Sequence, residues 1–354
     1  MRKILVASLV ATLTLVSLTP TLAAPKVAIG SKCSKVGQSS KIGTQVVLCT
    51  NFNKKLTWQP SVAAIQLAIW NDLQKLQSAQ PDVSTSLEIH RSPNANKVVA
   101  DTIIAGVNSA ARLWQTIYLP EKPLPTLFFS EKDRDWFINE MKTIGVYSEN
   151  QLKNFDNEIS RNGNRANSAG VTGDGGRLWM TYAIGTSRTT PDVGDAQVSA
   201  HEYTHLAQNA LVSQAREATT CWQIEGGAYF YGIYLGAKSP VQLQKFTKLR
   251  NSDPGFLDFP GVMQSSNANW EAYLDRFGAN YDSSKCGPNG AYAIGSLAHE
   301  YLYSLKGHAG IISMLQKTAD SRDFASAIMD VYGKPWPVIR KEIANYIQLV
   351  IAQN

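Results

Sequence analysis

His201, Glu202 and His205 stand in the order H-E-x-x-H within the stretch AHEYTHLAQ, residues 200–208. Apolar Val198, Ala200, Leu206 and Ala207 surround them at a spacing that predicts a buried helix. Residues i and i+4 of a helix share a face, so both imidazoles can present a ring nitrogen to one metal ion. Glu202 then stands beside that ion, placed to take a proton from a water that the ion activates. Two histidines do not make a catalytic zinc site, which uses three protein ligands and leaves a position for water. A third histidine six residues after His205, with a glycine three after it, is one known solution. Here those positions are Leu211 and Gln208, which excludes it. A glutamate on a following helix is the other solution. Glu225 follows His205 by 20 residues, room for the first helix to end and a second to return antiparallel beside it. Glu217 competes, but falls in the expected turn.

The run Trp222-Gln-Ile-Glu225-Gly226-Gly227-Ala228-Tyr229 resembles the W-x-x-E-G-x-A segment that follows HExxH in gluzincins, in particular the peptidase MA-like group. The resemblance extends over roughly residues 170–310. It implies a zincin-like fold, one Zn2+ held by His201, His205 and Glu225, and peptide hydrolysis with Glu202 as general base. Tyr292-Ala-Ile-Gly295 is similar to the Y-x-x-G helix start of the aminopeptidase branch, where a tyrosine hydroxyl binds the oxyanion. That implies the same role for Tyr292; the alternative is an ordinary core tyrosine. Two departures narrow the resemblance. The G-x-M-E-N stretch that recognises a free amino end is absent, so exopeptidase action is not implied. Tyr229 also stands where thermolysin-like enzymes carry the aspartate that orients a zinc histidine, leaving the outer partner of His201 unassigned. His299-Glu300 opens HEYLY, with Tyr303 where a second ligand would be, and reads as a structural pair. His90 and His308 have no partners at ligand spacing.

The chain must export and position this constellation. Met1, Arg2 and Lys3 precede an apolar run from Ile4 to Leu18 and an Ala-rich end at Ala23 and Ala24, which reads as a signal peptide over residues 1–24 and predicts a secreted or extracytoplasmic protein. An uncleaved anchor is the alternative; no later run is long and apolar enough to span a bilayer. Without Arg2 and Lys3 the charge falls from +6 to +4, and no basic run alternates with aromatics, so nucleic acid is not a partner. Four cysteines allow three pairings, and separation favours Cys33 with Cys49 and Cys221 with Cys286. Residues 25–60 form a small cysteine-bounded module, too short to bury much surface without its bridge. A contact with cell wall or surface and a passive spacer are the two readings of that module.

Residues 61–354 form the gluzincin-like domain, divided into an α/β half (61–190) and a helical half (191–354). Ser61 is the expected N-cap of a helix to Ala79. Strands are expected at Leu87–His90 and Leu124–Ser130, and helices at Ala95–Leu119 and Glu131–Ile144. A Gly- and Asn-rich loop covers 161–176; Asp174 within it is an isolated oxygen ligand that a calcium ion could use. Arg177–Ile184 alternates and predicts a half-buried strand at the sheet edge, where a substrate peptide could add its backbone. The fold class is α+β: a disulfide-braced β module, then a zincin-like domain with a small mixed sheet over the metal helix and a mostly helical C-terminal half. The expected function is a secreted zinc metallopeptidase acting on peptides or proteins. Its rival is a non-catalytic cell-wall or surface binding protein that keeps the peptidase fold.

Overall fold

The computed structural model describes residues 27–81, 87–150, 152, 153, 156, 169–174, 177–192, 194–252, 267–276 and 290–354. The expected signal segment, Cys286, the side chain of Asp174 and residues 161–168 of the expected loop lie outside them. The chain is mixed α and β, with a three-stranded antiparallel sheet near its start and a four-stranded sheet ahead of a long helical region.

The first sheet holds β1 (Ser39–Ile42), β2 (Gln45–Phe52) and β3 (Lys55–Pro60) in sequence order. Opposed residues of an antiparallel pair share a face. The register Cys49↔Trp58 therefore gathers Val47, Cys49 and Trp58 with Cys33 into a minicore braced by the Cys33–Cys49 disulfide. Thr50↔Thr57 and Phe52↔Lys55 form the opposite face, which is turned toward the last helix. There Gln353 donates from Nε2 to Thr50 Oγ1 (3.1 Å) and the Pro60 carbonyl (2.8 Å), while its Oε1 accepts from the Val62 N–H (2.9 Å).

Helix α1 (Val62–Ser78) starts as expected: the Ser61 side chain accepts from the Ala64 N–H. Its buried residues Val62, Gln66, Ile69 and Leu73 recur every three or four positions, giving one inward face. Helix α2 (Lys97–Trp114) is capped by Asn96, which accepts from the N–H groups of Val98 and Val99, and it stops at Trp114 rather than Leu119. β4 (Leu87–Arg91), β5 (Leu124–Phe129), β6 (Ala169–Asp174) and β7 (Arg177–Ala183) form the second sheet in the order β4-β5-β7-β6. β4, β5 and β7 are parallel, and β6 pairs antiparallel to β7.

Two expectations fail in this sheet. β7 is an inner strand, flanked by β5 and β6, and residues 169–174 of the expected loop form the edge strand β6. Nor is β7 half-buried: Met180 and Tyr182 face one core, while Trp179 and Ala183 face a second core beneath α3 (Arg134–Thr143). The apolar Trp179 and Ala183, on the face taken as polar, are the physical reason. A substrate strand therefore cannot pair along β7; β4 and β6 are the edge strands of the described sheet.

Helix α4 (Asp195–Val212) carries the HExxH stretch. A 3-10 turn (Ser213–Ala218) and a π turn (Trp222–Gly226) lead into α5 (Gly227–Gly236), whose ten residues are all buried. Then follow α6 (Pro240–Ser252), α7 (Asn267–Arg276), α8 (Gly290–Ser321), α9 (Phe324–Tyr332) and α10 (Trp336–Gln353). Gly307, at φ 63° and ψ −165°, breaks α8 into two helical pieces.

Beside α5 lies a buried polar knot. Glu300 of α8 accepts from Arg250 Nη1 (2.5 Å), Tyr234 Oη (2.7 Å), Tyr346 Oη (2.9 Å) and Gln66 Nε2 (3.3 Å). Arg250 and Glu300 are both fully excluded from solvent. The Arg250 guanidinium and the Tyr234 and Tyr346 hydroxyls satisfy the hydrogen-bonding capacity of this buried carboxylate. Five elements, α1, α5, α6, α8 and α10, are thereby joined at one side chain. Replacing Glu300 by alanine strands a buried guanidinium, and we expect a loss of about 3–5 kcal/mol in urea unfolding.

Candidate metal centre

α4 packs between α2 and α5 at distances that only glycine permits. A Cβ on Gly106 of α2 would lie 2.1 Å from Ser199 Oγ and 2.5 Å from the Ala196 carbonyl. A Cβ on Gly232 of α5 would lie 2.7 Å from the Gln197 carbonyl and 3.1 Å from His201 Cβ. The next crossing brings in the third ligand: a Cβ on Gly226 would meet Gly295 Cα of α8 at 2.3 Å. Glu225, adjacent to Gly226, is thus carried on a π turn wedged between α4 and α8. A π turn inside a helical segment widens the backbone by one residue and is frequent at functional sites.

His201, His205 and Glu225 come together there. His205 Nε2 lies 3.1 Å from His201 Nε2 and 3.4 Å from Glu225 Oε2, and His201 Nε2 lies 3.8 Å from the same oxygen. Their ligand atoms all fall within 4.8 Å of one another, so the group could hold a metal ion. Ligand atoms about 2.0–2.2 Å from one tetrahedral ion stand roughly 3.3–3.6 Å apart, and the observed separations bracket that range. Glu217 is not part of the group: it lies on the surface, 3.4 Å from Arg322.

The protonation pattern also suits a cation. Gln208 Nε2 donates to the carbonyls of Ile224 (2.9 Å) and Gln223 (3.3 Å). Carbonyls only accept, so the amide NH2 must face them and Oε1 must face His205. His205 Nδ1 therefore donates to Gln208 Oε1 (2.8 Å), and in the neutral ring it is Nε2 whose lone pair is directed at the triad. Gln208 was not among the residues expected from the sequence. It ties the second histidine to the turn that carries Glu225.

His201 is held by rings instead. Tyr292 stacks flat on its imidazole, with centroids 5.6 Å apart and planes 6° from parallel, and Tyr229 meets it edge-on at 6.4 Å. Tyr292 is thus placed at the site by contact with a candidate ligand. Burial, and then the neighbouring His205, hold the His201 pKa down to about 3, so it stays neutral. Burial pulls the His205 pKa down too, but hydrogen bonding and charge from Glu225 outweigh it, and the net shift is upward. Glu202 is only partly accessible; burial, helped by the Glu225 charge and opposed by His205, pushes its carboxyl up to about 7. Tyr182 of β7 brings a further hydroxyl near: its oxygen is buried without a hydrogen-bond partner, and burial and the Glu202 charge raise its pKa.

The remaining histidines are structural. His299 is fully buried, its Nδ1 donating to the Gly295 carbonyl (2.8 Å), and the indole of Trp222 packs on it edge-on. His308 accepts at Nδ1 from, or donates to, the Tyr231 hydroxyl at 2.7 Å, and His90 lies between Glu88 and Glu140. Cys33 and Cys49 are bridged; Cys221 is buried beside the π turn, and no described cysteine is free. The expected partner Cys286 is outside the described residues. No family model, no curated protein and no solved structure matches the chain.

Two outcomes follow for metal binding. Gln208→Leu removes the acceptor that fixes the His205 tautomer, and should weaken Zn2+ affinity by about 10–100-fold in competition with a chromophoric chelator while leaving the circular dichroism spectrum unchanged. Protons compete with a metal at His205, whose metal-free pKa lies above the ordinary 6.5. Affinity should therefore begin to fall as pH drops through a range above 6.5, whereas His201, neutral down to about 3, adds nothing to that fall. A pH titration of bound Zn2+ checks both the onset and the single-proton slope.

Proposed function

We propose that the chain is a zinc-dependent metallopeptidase with a zincin-like domain, acting outside the cytoplasm on peptides or proteins. The carrying observation is the convergence of His201, His205 and Glu225 around one point, with Glu202 on the same helix. Two nitrogens and one carboxylate oxygen suit zinc among the divalent ions. Zinc bound by these three residues supplies Lewis acidity to a water and to a substrate carbonyl.

The chain's own groups supply the rest. Glu202, whose carboxyl is raised by burial to about 7 in the metal-free site, is the chain's own proton acceptor on the helix of the two histidines. It takes the proton of the attacking water and passes it to the nitrogen of the leaving amine. Gln208 holds the His205 ring in its tautomer, and Tyr292 holds the plane of His201. The Tyr292 hydroxyl is proposed as hydrogen-bond donor to the substrate oxygen as charge develops there, a role that Tyr182 could share from the sheet. β6, an edge strand of the described sheet, is the proposed place for an extended peptide backbone.

A second reading is favoured by the N-terminal module. A protein with the same helices that binds a cell wall or surface without catalysis would keep the module and have no need of Glu202. Glu202→Gln separates the two. It should retain one Zn2+ per chain by atomic absorption, yet lose peptide cleavage by at least about 10²-fold, scored by mass spectrometry of a diverse peptide mixture. Undiminished cleavage by the zinc-loaded variant would overturn the peptidase mechanism.

A further inference from the structure

The metal centre makes no use of the face of the N-terminal sheet that is turned away from its disulfide. Between that face and helices α8 and α10 lies an open cleft of about 530 Å³. Phe52 and Gln59 line it from the sheet, Tyr301 from α8, and Glu342 and Asn345 from α10, over a floor that includes the buried Leu349. Asn53 stands at the rim in a two-residue hairpin turn, at φ 52°, followed by Lys54 at φ 62°. Two consecutive positive φ values define the tight turn that matches strand twist, and a lysine there is strained.

The chemistry of the lining narrows the ligand. Four carboxamides line the cleft, those of Gln45, Asn53, Gln59 and Asn345; Gln59 Nε2 also donates to Thr57 Oγ1 (3.0 Å), and a carboxamide both donates and accepts. No lysine or arginine is among the lining residues. The one carboxylate, Glu342, already accepts from Tyr301 Oη (2.8 Å) and pairs with Lys334 Nζ (2.7 Å). Among the described lining residues there is therefore no unpaired charge with which to bind an ionic ligand. Aromatic surface is present in Phe52 and Tyr301, against which the apolar C–H faces of a sugar ring can lie. A peptide is the other neutral candidate, and it would add to a sheet edge. The outer edge of β3 is closed to it: Gly30 N–H donates to the Trp58 carbonyl (2.8 Å), Trp58 N–H to Ser31 (2.9 Å) and Cys33 N–H to Leu56 (3.2 Å).

We propose that this cleft binds a neutral oligosaccharide, its hydroxyls paired with the carboxamides and a ring face laid on the aromatic wall. The site stands apart from the metal centre and does not rest on the peptidase reading. The full chain is titrated by calorimetry with chitotetraose, cellotetraose and maltotetraose, and with tetra-alanine as the peptide control, each to about 10 mM. Saturable binding of at least one saccharide is expected, unchanged by Glu202→Gln. Asn53→Gly, which suits the turn, and Gln59→Ala should each weaken binding by about tenfold or more. Binding of none of the three saccharides, saccharide binding that both variants leave intact, or binding of tetra-alanine alone would each overturn the proposal.

Discussion

Helix backbones in this protein approach one another more closely than any side chain allows, and the His201, His205 and Glu225 group depends on that approach. Gly226 and Gly295 bring the π turn against α8, while Gly106, Gly232 and Gly236 press α4 between two neighbours. Glycine in a helix costs roughly 1 kcal/mol of intrinsic stability against alanine. The cost is offset by dispersion contacts along the touching backbones and by the burial of Trp222, Phe230 and Tyr234, all fully enclosed. The consequence is positional. With Gly226 against Gly295, Glu225 has little freedom to move away from the histidines, and its carboxylate is held in place before any ion arrives.

The interior is polar where most interiors are not. Glu300, Arg250, His299, Gln208 and Gln223 are all buried, and hydrogen bonds cross from helix to helix through them. Two of them are satisfied by elements distant in sequence: Gln208 by carbonyls 15 and 16 residues on, Glu300 by Arg250 from 50 residues before and Gln66 from 234 residues before. Such groups stabilise little in net terms, because burial cancels much of the gain, but they penalise every arrangement in which the partners fail to meet. Here they serve registration of the helices around α5, an element apolar on all sides that could otherwise slide.

What the sequence makes legible is what local geometry decides. The i, i+4 spacing of His201 and His205, the Ser61 cap and the inward face of α1 need no knowledge of the rest of the chain, and the structure has them as read. Glu225 over Glu217 also follows from chain length, since a helix must end and return before it can face its predecessor. Tertiary context governs what was missed. Nothing near Gln208 announces the two carbonyls that fix its amide, because they belong to another element. The π turn ends at the Gly226–Gly295 crossing, a contact between segments about 70 residues apart that local propensity does not announce. β7 alternates in polarity, yet Trp179 and Ala183 give it a second apolar face, and only the core beneath α3 shows that both faces are covered.

Gln353 closes the molecule in a way that bears on its folding. One side chain on α10 joins Thr50, Pro60 and Val62, partners 291 to 303 residues earlier. During synthesis that side chain emerges some 290 residues after its partners, so these bonds form only once nearly all the described chain is present. Contacts of such long sequence separation form late and slow the overall reaction. The cleft beside α10 thus requires both the first sheet and the last helix, and its presence reports that these two distant segments have met.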